Sequence, residues 1–68
     1  QGIIDFLAMN DTEVILIDYK TDNASLEAIA NMYHEQILTY KEALTMLYPD
    51  KTISTYIYSL SNQEFIEI

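Results

Sequence analysis

The chain has 68 residues and a formal net charge of −8, and 50% of its residues are hydrophobic and 12% aromatic. This composition excludes an intrinsically disordered segment, and the length allows at most one domain. Zero cysteines exclude disulfides and thiolate metal sites within the chain. The excess of acids over the three basic residues argues against DNA binding by this surface alone, because affinity for DNA comes largely from Lys and Arg.

Four β-strands are predicted from alternating and β-branched apolar residues, at residues 2–9, 13–20, 52–58 and 63–68. The polar residues between the first two strands are typical of a hairpin turn. No apolar run approaches the roughly 18 residues of a membrane span, and the start lacks the pattern of a signal peptide. We therefore expect no membrane partner, and the absence of cysteines is compatible with a reducing cytoplasm.

An amphipathic helix is predicted between the second and third strands. From Leu26 onward, apolar residues recur at spacings of three and four as far as about Tyr48, and Pro49 ends the pattern. Asn23 or Ser25 is the predicted N-cap. Because a helix that joins two strands of one sheet crosses over that sheet, the predicted fold class is α/β (α+β), a mixed β-sheet with one flanking helix.

Three charged side chains are candidates for a functional site on this sheet. Asp18 and Lys20 lie two residues apart on the second strand, so their side chains share a face. An even hairpin loop places Asp5 opposite Asp18, whereas an odd loop places Asp5 on the other face. Two carboxylates opposite each other repel, and a divalent cation between them would offset the repulsion.

Two carboxylates and a lysine on one face suit metal-assisted phosphodiester cleavage. Asp5 and Asp18 are candidate ligands for Mg²⁺, a hard ion that takes oxygen ligands, and the backbone carbonyl of Tyr19 is a third candidate. Lys20 is the candidate to orient the attacking water and to offset developing negative charge. Asp5, Asp18 and Lys20 are thus the predicted catalytic residues.

Three segments together carry a resemblance to a known family: G-x-x-D at residues 2–5, D-Y-K-T-D at residues 18–22 and Q-x-x-x-Y at residues 36–40. Their order and spacing resemble the PD-(D/E)xK nucleases, and among them the C-terminal nuclease domain of bacterial AddA and RecB type helicase–nucleases. The resemblance implies a restriction-endonuclease-like fold and a deoxyribonuclease that depends on Mg²⁺, with Mn²⁺ as a possible substitute. It also implies that Gln36 and Tyr40 lie beside the site and order the catalytic residues or the DNA.

The biological setting is likewise what the resemblance implies. The substrate would be the single strand unwound by an attached ATP-driven helicase, during double-strand-break repair and recombination in the bacterial cytoplasm. The partners would be DNA, the rest of the helicase–nuclease polypeptide and a partner subunit. The family core begins with a helix and a first strand that would precede Gln1, so residues 1–68 are expected to form a partial nuclease domain that is inactive in isolation.

The sequence also allows less specific interpretations of the same residues. Asp18 and Lys20 also fit a solvated ion pair, and Asp22 fits either an extension of the acidic cluster or a helix N-cap. Gln36 and Tyr40 also fit structural roles at the edge of the helix stripe. Tyrosines are able to stack on bases, although packing in the core or on the sheet is the expectation for three of them, Tyr33, Tyr56 and Tyr58.

Two other functions fit the same pattern. One is a stand-alone Cas4-like or phage exonuclease of the same superfamily. The other is a nuclease-fold module that has lost catalysis and serves as a DNA-binding or structural unit. The retained acids and lysine disfavour the second alternative.

Overall fold

The computed structural model of the chain describes residues 6–68. Strand β1 spans Phe6–Met9, β2 spans Glu13–Lys20, helix α1 spans Leu26–Leu47, β3 spans Thr52–Ser59 and β4 spans Glu64–Glu67. Every predicted element is present with its predicted type. The part of the first predicted strand before Phe6 lies outside the described residues.

The four strands form one mixed sheet in the order β1-β2-β3-β4. The pairs β1/β2 and β3/β4 are antiparallel, and β2/β3 is parallel because α1 carries the chain back across the sheet. The predicted α+β class and mixed sheet are therefore confirmed. Phe6 pairs with Ile17 and Met9 pairs with Val14, which is the register that an even loop predicts. This register was predicted to place Asp5 opposite Asp18, but Asp5 lies outside the described residues.

Side-chain contacts at the β1–β2 turn secure this register. The Asn10 side-chain oxygen accepts hydrogen bonds from the backbone N–H groups of Thr12 and Glu13, each at 2.8 Å. The ammonium of Lys51 donates to the backbone oxygens of Asn10 and Asp11, at 2.6 and 3.0 Å. The turn is thus tied to the start of β3, and a one-residue slip of β1 would break these contacts.

Helix α1 begins at a side-chain cap and packs on one face of the sheet. The Ser25 hydroxyl oxygen accepts a hydrogen bond from the backbone N–H of Ala28 at 3.1 Å, so Ser25 is the N-cap, as predicted, and Asn23 and Asp22 are not. The buried residues of the helix recur along one stripe: Ile29, Ala30, Ile37 and Leu44. Within residues 6–68, no helix is both long enough and apolar enough to cross a membrane.

The core lies between α1 and the sheet in two clusters. One joins Val14 and Leu16 of β2 to Leu44 at the end of the helix. The other joins Ile57 of β3 to helix residues that lie nearer its start, Ile29 and Ile37. Because side chains alternate along a strand, the residues of β2 that follow Leu16 at every second position also face the helix. These residues are Asp18 and Lys20.

Candidate active site at the end of strand β2

A buried ion pair lies at the carboxyl end of β2. The Nζ atom of Lys20 is 3.3 Å from Oδ2 of Asp18, and the two side chains are 3% and 1% exposed. The alternative of a solvated ion pair is therefore wrong. Burial of two charges costs free energy that hydrophobic residues would not cost, so this pair is a candidate for function. In sheets with parallel strands, ligands commonly bind at the carboxyl ends of the strands, which is where the pair lies.

The helix supplies a second partner to the lysine. The Lys20 ammonium donates a hydrogen bond to Oε1 of Gln36 at 3.2 Å. Gln36 lies three residues after Tyr33 and four before Tyr40, both of which pack against the core, so the side of α1 that presents Gln36 is turned towards the sheet. The predicted proximity of Gln36 to Lys20 is thus observed, and the contact orients the ammonium from the helix side.

Tyr33 supplies a third partner, which was not expected from the sequence. The ring centroid of Tyr33 lies 3.9 Å from Nζ of Lys20, a cation–π contact. The Tyr33 hydroxyl donates a hydrogen bond to Oδ2 of Asp22 at 2.8 Å. This hydrogen bond, partial burial, and the negative charges of Asp22 and Asp18 raise the pKa of Tyr33 above its usual value of 10.0. Tyr33 is therefore a neutral phenol at physiological pH.

The loop that carries Asp22 is tied to the loop after β3. The Ser61 hydroxyl donates to the backbone oxygen of Asp22 at 2.8 Å. The Asn62 side-chain amide donates to the backbone oxygen of Ala24 at 2.8 Å and to the hydroxyl oxygen of Ser59 at 2.9 Å. These contacts hold together the ends of β2 and β3, and they hold the entry to α1 beside the ion pair.

The backbone carbonyl of Tyr19 points towards the β1 side of β2. The carbonyl of Lys20 accepts a hydrogen bond from the N–H of Leu60, at the end of β3, at 2.9 Å. Because successive carbonyls of a strand point to opposite neighbours, the carbonyl of Tyr19 points the other way. The side chain of Tyr19 lies on the sheet face away from the helix, where the centroids of the Tyr19 and Tyr58 rings are 5.7 Å apart.

The other tyrosines considered from the sequence have packing contacts. Tyr40 packs against both core clusters, which supports the structural interpretation of its ring. Tyr56 and Tyr58 flank the buried Ile57, so they lie on the sheet face opposite α1, where both contact Phe65. They pack on the sheet, as expected, and on the face opposite the one that carries Asp18.

The chain is similar in sequence to a known protein family. The sequence model of the PD-(D/E)XK nuclease superfamily matches residues 1–67. The chain belongs to this superfamily. The mixed sheet, the crossover helix and the Asp18–Lys20 pair at the end of β2 are consistent with a restriction-endonuclease-like fold.

Curated relatives of this PD-(D/E)XK chain are named as subunits of an ATP-dependent helicase/nuclease. The chain is 38% identical over 69 residues to the protein of Clostridium botulinum, and 100% of the chain and 5% of that relative are covered. It is 37% identical to the protein of Lactiplantibacillus plantarum, with coverage of 98% and 5%. It is 32% identical to the protein of Oceanobacillus iheyensis, with coverage of 100% and 6%. The chain thus spans a small part of these relatives, and no solved structure matches it significantly.

Oxygen donors of this PD-(D/E)XK chain fit a hard divalent cation in part. Within residues 6–68, no three His, Cys, Asp or Glu side chains form a cluster that would hold a metal ion. The Asp18 carboxylate and the Tyr19 carbonyl are both oxygen donors, which is the ligand chemistry that Mg²⁺ prefers. The second predicted carboxylate, Asp5, lies outside the described residues. The described donors are therefore chemically suitable for a hard divalent cation.

Sequence reasoning missed Tyr33 as a neighbour of Lys20 and Asp22 as a partner of Tyr33. One signal was present, because Tyr33 precedes Gln36 by three positions and residues at this spacing share a helix face. Asp22 was assigned to the acidic cluster or to a cap, whereas its carboxylate accepts the Tyr33 hydroxyl.

Proposed function

We propose that this chain is the catalytic core of a Mg²⁺-dependent deoxyribonuclease. The observation that carries the proposal is the buried Asp18–Lys20 pair with Gln36 on the ammonium, within a chain of the PD-(D/E)XK superfamily. A buried acid and lysine at the end of a strand are costly for stability and useful for chemistry at a phosphate.

In this proposal each residue has one role. Asp5, Asp18 and the Tyr19 carbonyl would hold Mg²⁺, with Mn²⁺ as a possible substitute, and Asp5 is assigned on the sequence motif alone. When bound, the ion would lower the pKa of a coordinated water and neutralise charge on the scissile phosphate. Lys20 would donate a hydrogen bond to the attacking water and offset the negative charge that develops on the phosphate. Gln36 would orient the Lys20 ammonium through the hydrogen bond at 3.2 Å.

The wider setting is also part of the proposal. The names of the relatives include a helicase, so we propose that the chain acts within a larger ATP-dependent helicase/nuclease. The substrate would be single-stranded DNA released by unwinding during double-strand-break repair, and the partners would be the rest of that polypeptide and a second protein chain in the bacterial cytoplasm. Because the chain has a net charge of −8, basic surface for DNA in this setting would have to come from the rest of the polypeptide or its partner. The isolated chain would then be inactive.

Cleavage assays on the complete polypeptide that the gene encodes test the proposal. End-labelled single-stranded and duplex DNA is incubated with ATP and Mg²⁺ or with a chelator, and with the variants Asp18→Asn and Lys20→Gln. We expect cleavage to require the metal, to vanish with Asp18→Asn, and to fall by about 10²–10³-fold or more with Lys20→Gln. The exposed Asp50 and the half-buried Lys41 supply the matched controls Asp50→Asn and Lys41→Gln, which should retain cleavage.

Two results would count against the proposal. Undiminished cleavage by Asp18→Asn would remove this residue from the reaction. Binding of DNA without cleavage by the unsubstituted polypeptide would favour the alternative of an inactive nuclease-fold module. Calorimetric titration with Mg²⁺ or Mn²⁺ complements the assay, because binding should weaken in Asp18→Asn and in Asp5→Asn even where cleavage is too slow to measure.

A further inference from the structure

The Tyr33 ring covers one side of the Lys20 ammonium. The ring centroid is 3.9 Å from Nζ, and Lys20 is almost fully buried. A cation over an aromatic face is attracted by the ring, and the attraction is stronger where water is excluded. The contact therefore restricts where the ammonium is able to lie.

The ring of Tyr33 is itself held at both ends. Its Cβ end is fixed by α1 and by packing against the cluster of Ile29, Ile37 and Ile57. Its hydroxyl end donates to the Asp22 carboxylate at 2.8 Å, and the backbone oxygen of Asp22 accepts a hydrogen bond from Ser61 at 2.8 Å. A ring secured in this way is a fixed surface for the ammonium.

The three described partners of Lys20 divide into two kinds. Asp18 supplies the opposite charge, at 3.3 Å, whereas Gln36 and Tyr33 are neutral partners from the helix. A lysine side chain has four flexible carbons, so a single ion pair does not define the direction of its three N–H donors. The two helix partners, three residues apart on one face, supply further constraints on the ammonium.

We propose that Tyr33, tethered by Asp22, is a positioning residue that fixes the Lys20 ammonium for the phosphodiester cleavage proposed above. The inference rests on that proposed function and adds to it a residue that acts on the reaction through Lys20 without contacting the substrate. Replacing the ring with an aliphatic side chain would release the ammonium. Breaking the tether alone would loosen it.

Chemical labelling of Lys20 tests the geometry without any need for cleavage. The complete polypeptide is exposed briefly to an amine-acylating reagent at one pH, and modification of Lys20 is quantified by peptide mass spectrometry with Lys41 and Lys51 as internal standards. We expect Tyr33→Leu to increase labelling of Lys20 several-fold, and Tyr33→Phe and Asp22→Ala to increase it by less. The tyrosine Tyr56, on the opposite sheet face, supplies the matched controls Tyr56→Leu and Tyr56→Phe, which should leave labelling unchanged.

Kinetics of DNA cleavage give the second readout. Because displacement of a catalytic group by about 1 Å is able to cost on the order of 10²-fold in rate, we expect Tyr33→Leu to lower kcat by up to about that factor while KM changes little. Tyr33→Phe and Asp22→Ala should lower kcat by a smaller and similar factor. The double variant Tyr33→Phe/Asp22→Ala should be no slower than either single variant, because all three lack the same hydrogen bond.

The outcomes separate this inference from the function on which it rests. Unchanged labelling of Lys20 in a folded Tyr33→Leu polypeptide would overturn the inference, and so would an equal loss of kcat in Tyr56→Leu. If Tyr33→Leu fails to fold, unchanged labelling and kcat in both Tyr33→Phe and Asp22→Ala would overturn it. Absence of cleavage by the unsubstituted polypeptide would overturn the proposed function, whereas the labelling result would still decide whether Tyr33 positions Lys20.

Discussion

The Nζ atom of Lys20 lies 3.3 Å from Oδ2 of Asp18, and neither side chain is accessible to more than a few per cent. The pair lies between the sheet and the first half of α1, where Gln36 and Tyr33 also contact the ammonium. A buried ion pair balances its desolvation cost only while both charges are present. The two residues therefore contribute to stability together, in addition to any role in catalysis.

Single replacement of either charge should destabilise β2. We expect Asp18→Ala or Lys20→Ala to lower the local free energy of unfolding by about 3–5 kcal/mol, because each leaves one buried charge uncompensated. The double variant Asp18→Ala/Lys20→Ala should cost less than the sum of the two single variants, because it leaves no uncompensated charge. Hydrogen exchange of the β2 peptide in the complete polypeptide measures these differences, and additive effects would show that the two charges are not coupled.

Tyr33 should titrate above pH 10.0 in the folded protein, because its hydroxyl donates to the Asp22 carboxylate. A pKa that is raised on folding means that the folded state prefers the neutral phenol. The resulting stabilisation is present below pH 10.0 and is lost as the pH rises through the folded-state pKa. Asp22→Asn should lower the Tyr33 pKa towards its usual value. Carbon-13 NMR of labelled tyrosine rings would follow the titration, and an unaltered Tyr33 pKa in Asp22→Asn would contradict the assigned cause.

The helix N-cap should contribute a measurable part of the stability of α1. The Ser25 oxygen accepts the N–H of Ala28, so Ser25→Ala should lower the free energy of unfolding by about 1 kcal/mol. Ser25→Asp retains an acceptor and should restore most of this loss, helped by the helix dipole. Hydrogen exchange of the first two turns of α1 provides the measurement. Equal protection in Ser25→Ala and Ser25→Asp would show that the cap has no energetic role.

Core and surface positions of the same helix should respond differently to truncation. Ile37 is fully buried against Ile29 and Ile57, so Ile37→Ala should lower the free energy of unfolding by about 2–5 kcal/mol. Met46 is 82% exposed, and Met46→Ala should change the free energy of unfolding by no more than about 0.5 kcal/mol. Comparison of denaturant midpoints between the two variants tests whether the core lies where the fold places it. A large loss with Met46→Ala would reveal a contact formed outside the described residues.

Local sequence patterns predicted the secondary structure of this chain well. Alternation predicted the strands, spacings of three and four predicted α1, and Ser25 was one of two predicted caps. Each of these features depends on residues that are neighbours along the chain, so it can be predicted before the fold is known. A mixed sheet was also predicted, because a helix between β2 and β3 allows these two strands to pair in parallel, as they do.

The surroundings of the candidate site depended on contacts between distant residues. From the sequence, Asp18 and Lys20 share a strand face and Gln36 follows the helix stripe. Burial of the ion pair, the Tyr33 ring on Lys20 and the Asp22 tether arise only when α1 packs across the sheet. The angle and depth of that packing are set by the fit of the whole core, which periodicity does not encode. The sequence by itself therefore determined the elements and the candidate chemical groups, and the tertiary structure decided their environment and their partners.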